Sequence, residues 1–146
     1  MKKFGIFIFC ALLAVGCRQK IVPADMSKIN GYWEIERVDL PEADHKEYRI
    51  NETFDYFEIK NNVGFRKKVM PQLNGTFLVN DAFETVKVLF KDDKVILEFK
   101  TRFSTMREEL IELTAEKLVL KNKQNVEYQY KKAAAIDFTK DNEKNK

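Results

Sequence analysis

The chain contains few of the residues on which catalytic and metal sites usually depend. Among 146 residues there are two cysteines, one histidine and two serines. Metal sites need several converging His, Cys, Asp or Glu ligands, whereas His45 stands alone in a polar stretch between charged neighbours. Neither Ser27 nor Ser104 occurs in a Gly-X-Ser-X-Gly setting, so the parts of a serine hydrolase are missing. The sequence therefore predicts a protein that is not an enzyme and that carries no cofactor and no metal.

No apolar run is long enough to cross a membrane, but a short one opens the chain. Residues 4–15 are apolar and follow Lys2 and Lys3, while a spanning helix needs about 20 residues. A positive flank, a short apolar stretch and small residues before a cut site are typical of a secretory signal peptide. The small residues before Cys17 resemble a bacterial lipobox. That resemblance implies cleavage after Gly16 and lipid attachment at Cys17; the alternative is an ordinary signal peptide with a chance cysteine.

The lipobox resemblance also implies a location. Arg18 follows the cysteine, where lipoproteins retained in the inner membrane usually have Asp, and no acidic run follows. We therefore expect an outer-membrane lipoprotein on the periplasmic face, with exposure on the cell surface left open. The expected partner is the membrane, through the lipid anchor, and the sequence does not identify a protein partner.

Neither nucleic-acid binding nor a disulfide is predicted. Removal of the signal peptide takes away two lysines and no acid, so the formal charge falls from +3 to about +1, with both signs interspersed. Binding to phosphate backbones needs a clustered basic excess. Cys10 leaves with the signal peptide and Cys17 is used for lipid, so the mature chain must be stabilised by a packed core.

Composition divides the chain into four parts. Residues 1–16 form the predicted signal peptide, and residues 17–28 form a mostly polar tether behind the lipidated cysteine. Residues 29–132 have the length of one ordinary domain. Residues 133–146 end in a run without apolar residues and are predicted to be a flexible tail.

The domain reads as a succession of antiparallel strands. Apolar and polar residues alternate with period two, and short polar turns such as 91–94 and 122–125 interrupt the alternation. Residues 104–113 also have helical spacing, but the short turns on both sides favour a strand. About eight strands with one apolar face each must close over that face. The sequence therefore predicts an all-β fold, a small antiparallel up-and-down barrel.

Several short motifs resemble those of lipocalin-like lipoproteins of Gram-negative bacteria. Gly31-Tyr32-Trp33 resembles the Gly-X-Trp at the start of a lipocalin barrel, and Gly75-Thr76-Phe77 begins a strand in the middle of it. The endings at 110–113, 118–120 and 128–131 are similar too. The resemblance implies that Trp33 closes one end of the barrel, with Lys131 or Lys132 where lipocalins often have an arginine.

Alternation also predicts which side chains point into the barrel. They are Trp33, Ile35, Phe57, Ile59, Phe65, Val86, Val88, Phe90, Val95, Leu97, Phe99, Tyr128 and Tyr130. An eight-stranded interior is either filled by side chains or holds one small molecule, and the sequence leaves both open. If a pocket exists, its predicted lining is Trp33, Arg37, Phe57, Phe99, Tyr128 and Tyr130.

Three functions follow, in order of preference. The first is a membrane-anchored carrier that binds a small apolar or amphipathic ligand. The second is a non-enzymatic envelope protein with a filled barrel that docks through its outer surface. The third, implied by the resemblance alone, is isomerase or synthase chemistry in a cavity. The basic run Arg66-Lys67-Lys68 is typical of a solvated edge strand; the alternative is a patch for anionic lipid or an acidic partner.

Overall fold

A computed structural model of the chain describes residues 19–42, 44–47 and 51–133. The signal peptide, Cys17 and residues 134–146 of the predicted tail lie outside the described residues, so the structure does not test them. Within the described ranges, no helix is both long enough and apolar enough to cross a bilayer.

The described residues form one short helix and ten strands. The helix is a 3₁₀ helix at Pro23–Ile29. The strands are β1 Gly31–Asp39, β2 His45–Glu47, β3 Phe54–Lys60, β4 Val63–Pro71, β5 Phe77–Val79, β6 Glu84–Lys91, β7 Lys94–Lys100, β8 Thr105–Leu113, β9 Lys117–Lys121 and β10 Glu127–Lys132.

Eight of these strands close into an antiparallel barrel. Their order is β10-β9-β8-β7-β6-β4-β3-β1, and β1 pairs with β10 to complete the circle. The short β2 extends the edge of β1, and the short β5 pairs with the end of β4. The predicted up-and-down barrel is therefore confirmed, including the strand assignment at 105–113.

The two ends of the barrel differ in their connections. At one end, two-residue turns join β3 to β4 and β6 to β7. Asn61, Asn62, Asp92 and Asp93 in these turns have φ between 52° and 65°, as two-residue type I′ hairpin turns require. We call this the closed end, because the 3₁₀ helix also packs there. The opposite, open end carries the two longest connections, residues 40–53 and 72–83.

The segment predicted as a tether is instead largely docked on the barrel. Met26 and Ile29, one 3₁₀ turn apart, are buried in the core, and Ile21 packs against the core. Residues at i and i+3 of a 3₁₀ helix lie on one face, so both apolar side chains reach the barrel. The Val22 N–H donates to the Asp25 carboxylate over 3.0 Å and holds the first turn. The predicted extended tether is therefore wrong from Ile21 onward.

Trp33 closes this end of the barrel as predicted. Its ring is fully buried and its Nε1–H donates to the carbonyl oxygen of Ile29 over 2.6 Å. The Lys132 ammonium lies 4.4 Å from the centre of the ring and also donates to the carbonyl oxygen of Lys28. Burial lowers the pKa of Lys132 below its ordinary value. Lys132 thus occupies the position in which the resemblance placed a basic residue.

Two side chains predicted to face inward lie outside. A register shift between Ile35 and Arg37 in the β1–β10 pairing reverses the alternation, so Val38 is buried and Arg37 is exposed beside Asp39. Phe65 lies opposite Glu58 on the outer face of β4. The other inward predictions lie in or against the core, apart from Phe90, which is 39% exposed at the closed end.

Candidate functional site

The interior of the barrel becomes charged toward its open end. Directly paired residues of adjacent strands share a face. Asp55 lies on the same face of β3 as Phe57; Arg66 pairs with Phe57, and Lys68 pairs with Asp55. The basic run is therefore not a solvated edge strand, because β4 has strand partners on both sides and points Arg66 inward. The prediction of a solvated edge strand is therefore wrong for Arg66.

Arg66 lies at the centre of the charged interior. Its Nη2 and Nε are both 2.6 Å from Oε2 of Glu84, across the β4–β6 pairing. The guanidinium also stacks 4.0 Å from the centre of the Phe99 ring. Burial alone would lower the pKa of Arg66, but Asp55 and Glu84 outweigh it and hold the pKa above its usual value. Arg66 is thus a permanent cation whose main partner is Glu84.

Asp55 is the most deeply buried charged side chain among the described residues, with 2% of its surface exposed. Lys68 Nζ lies 2.5 Å from Oδ1 of Asp55, although the rest of the lysine side chain is largely exposed. The Tyr130 hydroxyl lies beside the same carboxylate. Burial, followed by the Asp55 charge, raises the pKa of Tyr130 well above its ordinary value. Asp55 therefore interacts with both the buried Tyr130 hydroxyl and the largely exposed Lys68.

Glu108 is the least well compensated of the inward-facing acids. It pairs across the sheet with Leu97, and its Oε2 is buried without a hydrogen-bond partner among the described residues. Burial raises the pKa of Glu108, although the charge of Arg66 acts in the opposite direction. The adjacent Glu109 interacts with Lys94 over 3.2 Å. Adjacent residues of a strand face opposite sides, so Glu108 and Glu109 do not form a carboxylate pair.

A pocket of about 320 Å³ opens where β1 and β3 separate. These strands pair only over Gly31–Trp33, and the Asn51 side chain bridges to the carbonyl oxygen of Ile35 over 2.8 Å just beyond that pairing. The pocket combines an apolar floor with a polar rim. It is lined by Trp33, Ile35, Asn51, Glu52, Thr53, Asp55, Lys68 and Tyr130.

The predicted lining residues fall into three groups. Trp33 and Tyr130 line this pocket. Phe57 and Phe99 lie in the core in edge-to-face contact, with centroids 6.4 Å apart. Tyr128 is partly buried against the core, and its hydroxyl accepts a hydrogen bond from Asn122 over 3.2 Å. Arg37 is exposed, so that part of the prediction is wrong; whether any of the others binds a ligand stays a prediction.

The sequence interpretation missed the polar members of the site. Asp55 lies two residues before Phe57, so the alternation that points Phe57 inward also predicts a carboxylate inside the barrel. That Lys68 is the partner of Asp55 can be predicted only once the β3–β4 register is known. Asn51 lies in a connection whose course no periodicity predicts. Across residues 19–42, 44–47 and 51–133, no group of three or more His, Cys, Asp and Glu side chains is arranged to hold a metal ion.

The sequence and the fold were compared with known proteins. The sequence model of the family described as "Lipocalin-like domain" matches residues 29–120. No curated protein matches significantly. A lipocalin-like protein from Bacteroides uniformis is 8% identical with a TM-score of 0.46, over 73% of this chain and 99% of that one. An uncharacterized protein from Bacteroides eggerthii is 13% identical with a TM-score of 0.46, over 71% of this chain and 98% of that one.

Proposed function

Given that the chain belongs to the lipocalin-like domain family, we propose that it is a membrane-anchored protein that binds a small amphipathic molecule at the open half of its barrel. The observation that carries the proposal is the pocket of about 320 Å³ between Trp33 and the Asp55–Lys68 pair. Ligand pockets commonly range from about 300 to 1,000 Å³, so the expected ligand is small.

The lining of the pocket supports an amphipathic rather than a wholly apolar ligand. Ile35 and Tyr130 provide apolar surface above the buried Trp33. The Asp55 carboxylate lies buried beside them, and the Lys68 ammonium is at the exposed side. A wholly apolar molecule would desolvate the largely exposed Lys68 ammonium without replacing its hydrogen bonds to water, which is unfavourable. The ligand is therefore expected to place a polar group toward Asp55 and Lys68.

The sequence around Cys17 supports a location for the protein. We propose that acyl chains on Cys17 hold the mature chain in the outer membrane, on its periplasmic face. The support is the lipobox-like sequence before Cys17 and the absence of Asp after it. Since a single acyl chain holds a protein only marginally, the two or three chains of a lipoprotein are needed for stable attachment. A Cys17→Ala variant should appear in the soluble fraction or remain uncut.

Native mass spectrometry of protein extracted from its own membrane tests the binding proposal. We expect a bound small molecule that is retained by a Glu36→Trp variant, in which the added ring lies on an exposed part of β1. An Ile35→Trp variant should lose it, because the ring fills the pocket. Circular dichroism and thermal denaturation must show that both variants are folded. Repeatedly empty wild-type protein, or a ligand still bound to folded Ile35→Trp, would contradict the proposal.

A second candidate function is docking to an envelope protein through the open end. Large apolar side chains are exposed on the connections there: Phe103 is 95% exposed, Leu73 88% and Phe83 54%. Much of the barrel interior is filled by the buried rings of Trp33, Phe57 and Phe99, which is consistent with a binding surface outside rather than a cavity inside. A photo-crosslinker placed at position 103 and, as a control, at the exposed Lys60 at the closed end of β3 tests this function. Capture of one defined protein from position 103 alone would favour docking.

A further inference from the structure

The chain enters the fold at the closed end of the barrel. Lys20 Nζ lies 2.6 Å from Oδ1 of Asp93 in the β6–β7 turn, and Ile21 packs against the core. The 3₁₀ helix that follows is buried under the barrel through Met26 and Ile29. The first described residues are thus fixed on the face of the molecule opposite the longest connections.

The number of residues between Cys17 and Lys20 limits how far a lipid on Cys17 can lie from this end. Only three peptide steps separate Cys17 from Lys20, and three extended residues span at most about 10 Å. β1 has nine residues, which at about 3.4 Å a residue and a tilt of about 40° extend about 20 Å along the barrel axis. A lipid on Cys17 therefore cannot bring the open end to the membrane while residues 20–29 stay docked.

The surface beside this entry point suits a phospholipid interface. Val22 and Phe90 are 43% and 39% exposed there. They border a groove of about 300 Å³ that also includes Lys91 and Lys94, together with Asp92 and Asp93 of the β6–β7 turn. Lysine side chains can cover apolar surface with their stems while their ammonium groups reach lipid phosphates. The Asp93 carboxylate in the same turn is already paired with Lys20, which reduces the repulsion of phosphates.

We propose that the closed end rests on the phospholipid surface in which the acyl chains of Cys17 are embedded, so that the pocket and the open end face away from that membrane. The inference rests on the proposed function, from which it takes the lipid on Cys17. It also specifies the route by which the ligand exchanges with its surroundings. The ligand enters and leaves on the aqueous side, and lateral transfer from the anchoring leaflet to the pocket is excluded by distance.

Site-specific quenching tests the orientation. Mature lipidated protein has no free thiol, because Cys10 is removed and Cys17 is acylated, so single cysteines can be labelled. Lys91→Cys at the closed end and Lys123→Cys at the open end are exposed and equal in charge change. Each is labelled with nitrobenzoxadiazole and reconstituted into vesicles of phosphatidylethanolamine and phosphatidylglycerol that carry a spin-labelled headgroup. We expect several-fold stronger quenching at position 91 than at position 123.

A second matched pair protects the result against local effects of a substitution. Lys60→Cys ends β3 at the closed end and Lys100→Cys ends β7 at the open end, and both are exposed. Stronger quenching at 60 than at 100 would support the orientation; equal or reversed quenching in either pair would overturn it. Vesicle binding by a Cys17→Ala chain that lacks residues 1–16 would overturn the role of the acyl chains. An empty pocket in native mass spectrometry, together with strong quenching at 91, would remove the ligand and keep the orientation.

Discussion

The closed and open halves of the barrel are built from the same strands but are stabilised differently. In the closed half, Trp33, Ile29 and Leu118 are fully buried, and the one polar atom of the indole has its carbonyl partner. In the open half, the same alternation directs Arg66 and Glu108 inward. Apolar burial stabilises at about 25 cal/mol per Å², whereas buried ion pairs often return little beyond their desolvation cost.

This difference indicates a division of roles along the barrel axis. The closed half fixes the fold, since its side chains are tightly packed and its turns are short. The open half contains charges that add little net stability, which is consistent with the binding role proposed for its pocket. The variants below compare the two halves and are given in order of decreasing expected effect.

Replacement of Trp33 should have the largest effect. Trp33→Ala leaves a large cavity under the barrel and is expected to lower the free energy of unfolding by about 3–5 kcal/mol. Urea denaturation measures the change, and Trp33→Phe, which retains an aromatic ring, should lose less. In the wild type, the emission of this single tryptophan should be blue-shifted and poorly quenched by iodide. An unchanged unfolding transition in Trp33→Ala would mean that the closed half does not depend on this ring.

Removal of Arg66 should be the most damaging change in the open half. Arg66→Met leaves Glu84 without its partner and Glu108 without the cation that favours its charged form, while Asp55 keeps the Lys68 ammonium. We therefore expect a loss of about 3 kcal/mol at neutral pH. The neighbouring Lys67 faces the outer side against Phe65 and Phe83, so Lys67→Met should change stability by at most about 0.5 kcal/mol. Equal effects of the two variants would contradict the inward placement of Arg66.

Glu108 should make the open half sensitive to pH. Its folded-state pKa is raised by burial above the ordinary value of 4.5, so the folded protein binds the proton more tightly than the unfolded chain. Stability therefore falls as pH rises from about 4.5 through the folded pKa. Glu108→Gln should be more stable than the wild type at pH 7, and the gain should disappear below pH 4.5. Denaturation at a series of pH values tests this; a gain that is independent of pH would be inconsistent with it.

Removal of the Lys132 charge should have the smallest effect. Lys132→Met keeps the aliphatic stem over Trp33 but removes the cation 4.4 Å from the ring, and the expected loss is about 1 kcal/mol. Lys132→Arg keeps a cation and should lose less. A loss as large as that of Trp33→Ala would show that the lysine, rather than the ring, closes the barrel.

Much of this architecture could be predicted because period-two alternation depends only on local sequence. The strand at 105–113, the turns at Asn61–Asn62 and Asp92–Asp93 and the burial of Trp33 follow from patterns within a few residues. The placement of Arg37 could not be predicted, because a bulge in the pairing with β10 reverses the alternation and has no local signal. The docking of residues 21–29 depends on an apolar site that exists only once the barrel is closed.

The sequence by itself determined the all-β class and the approximate number of barrel strands, since both depend on alternation and turn chemistry along the chain. The ring that closes one end, Trp33, was predicted from the resemblance to lipocalins. The tertiary structure decided which side chains share the interior. Asp55, Lys68 and Tyr130 come from three strands, and they meet at one pocket only because register and closure bring those strands together. Register depends on the balance of pairing and packing over the whole barrel, and this balance cannot be read from any single segment.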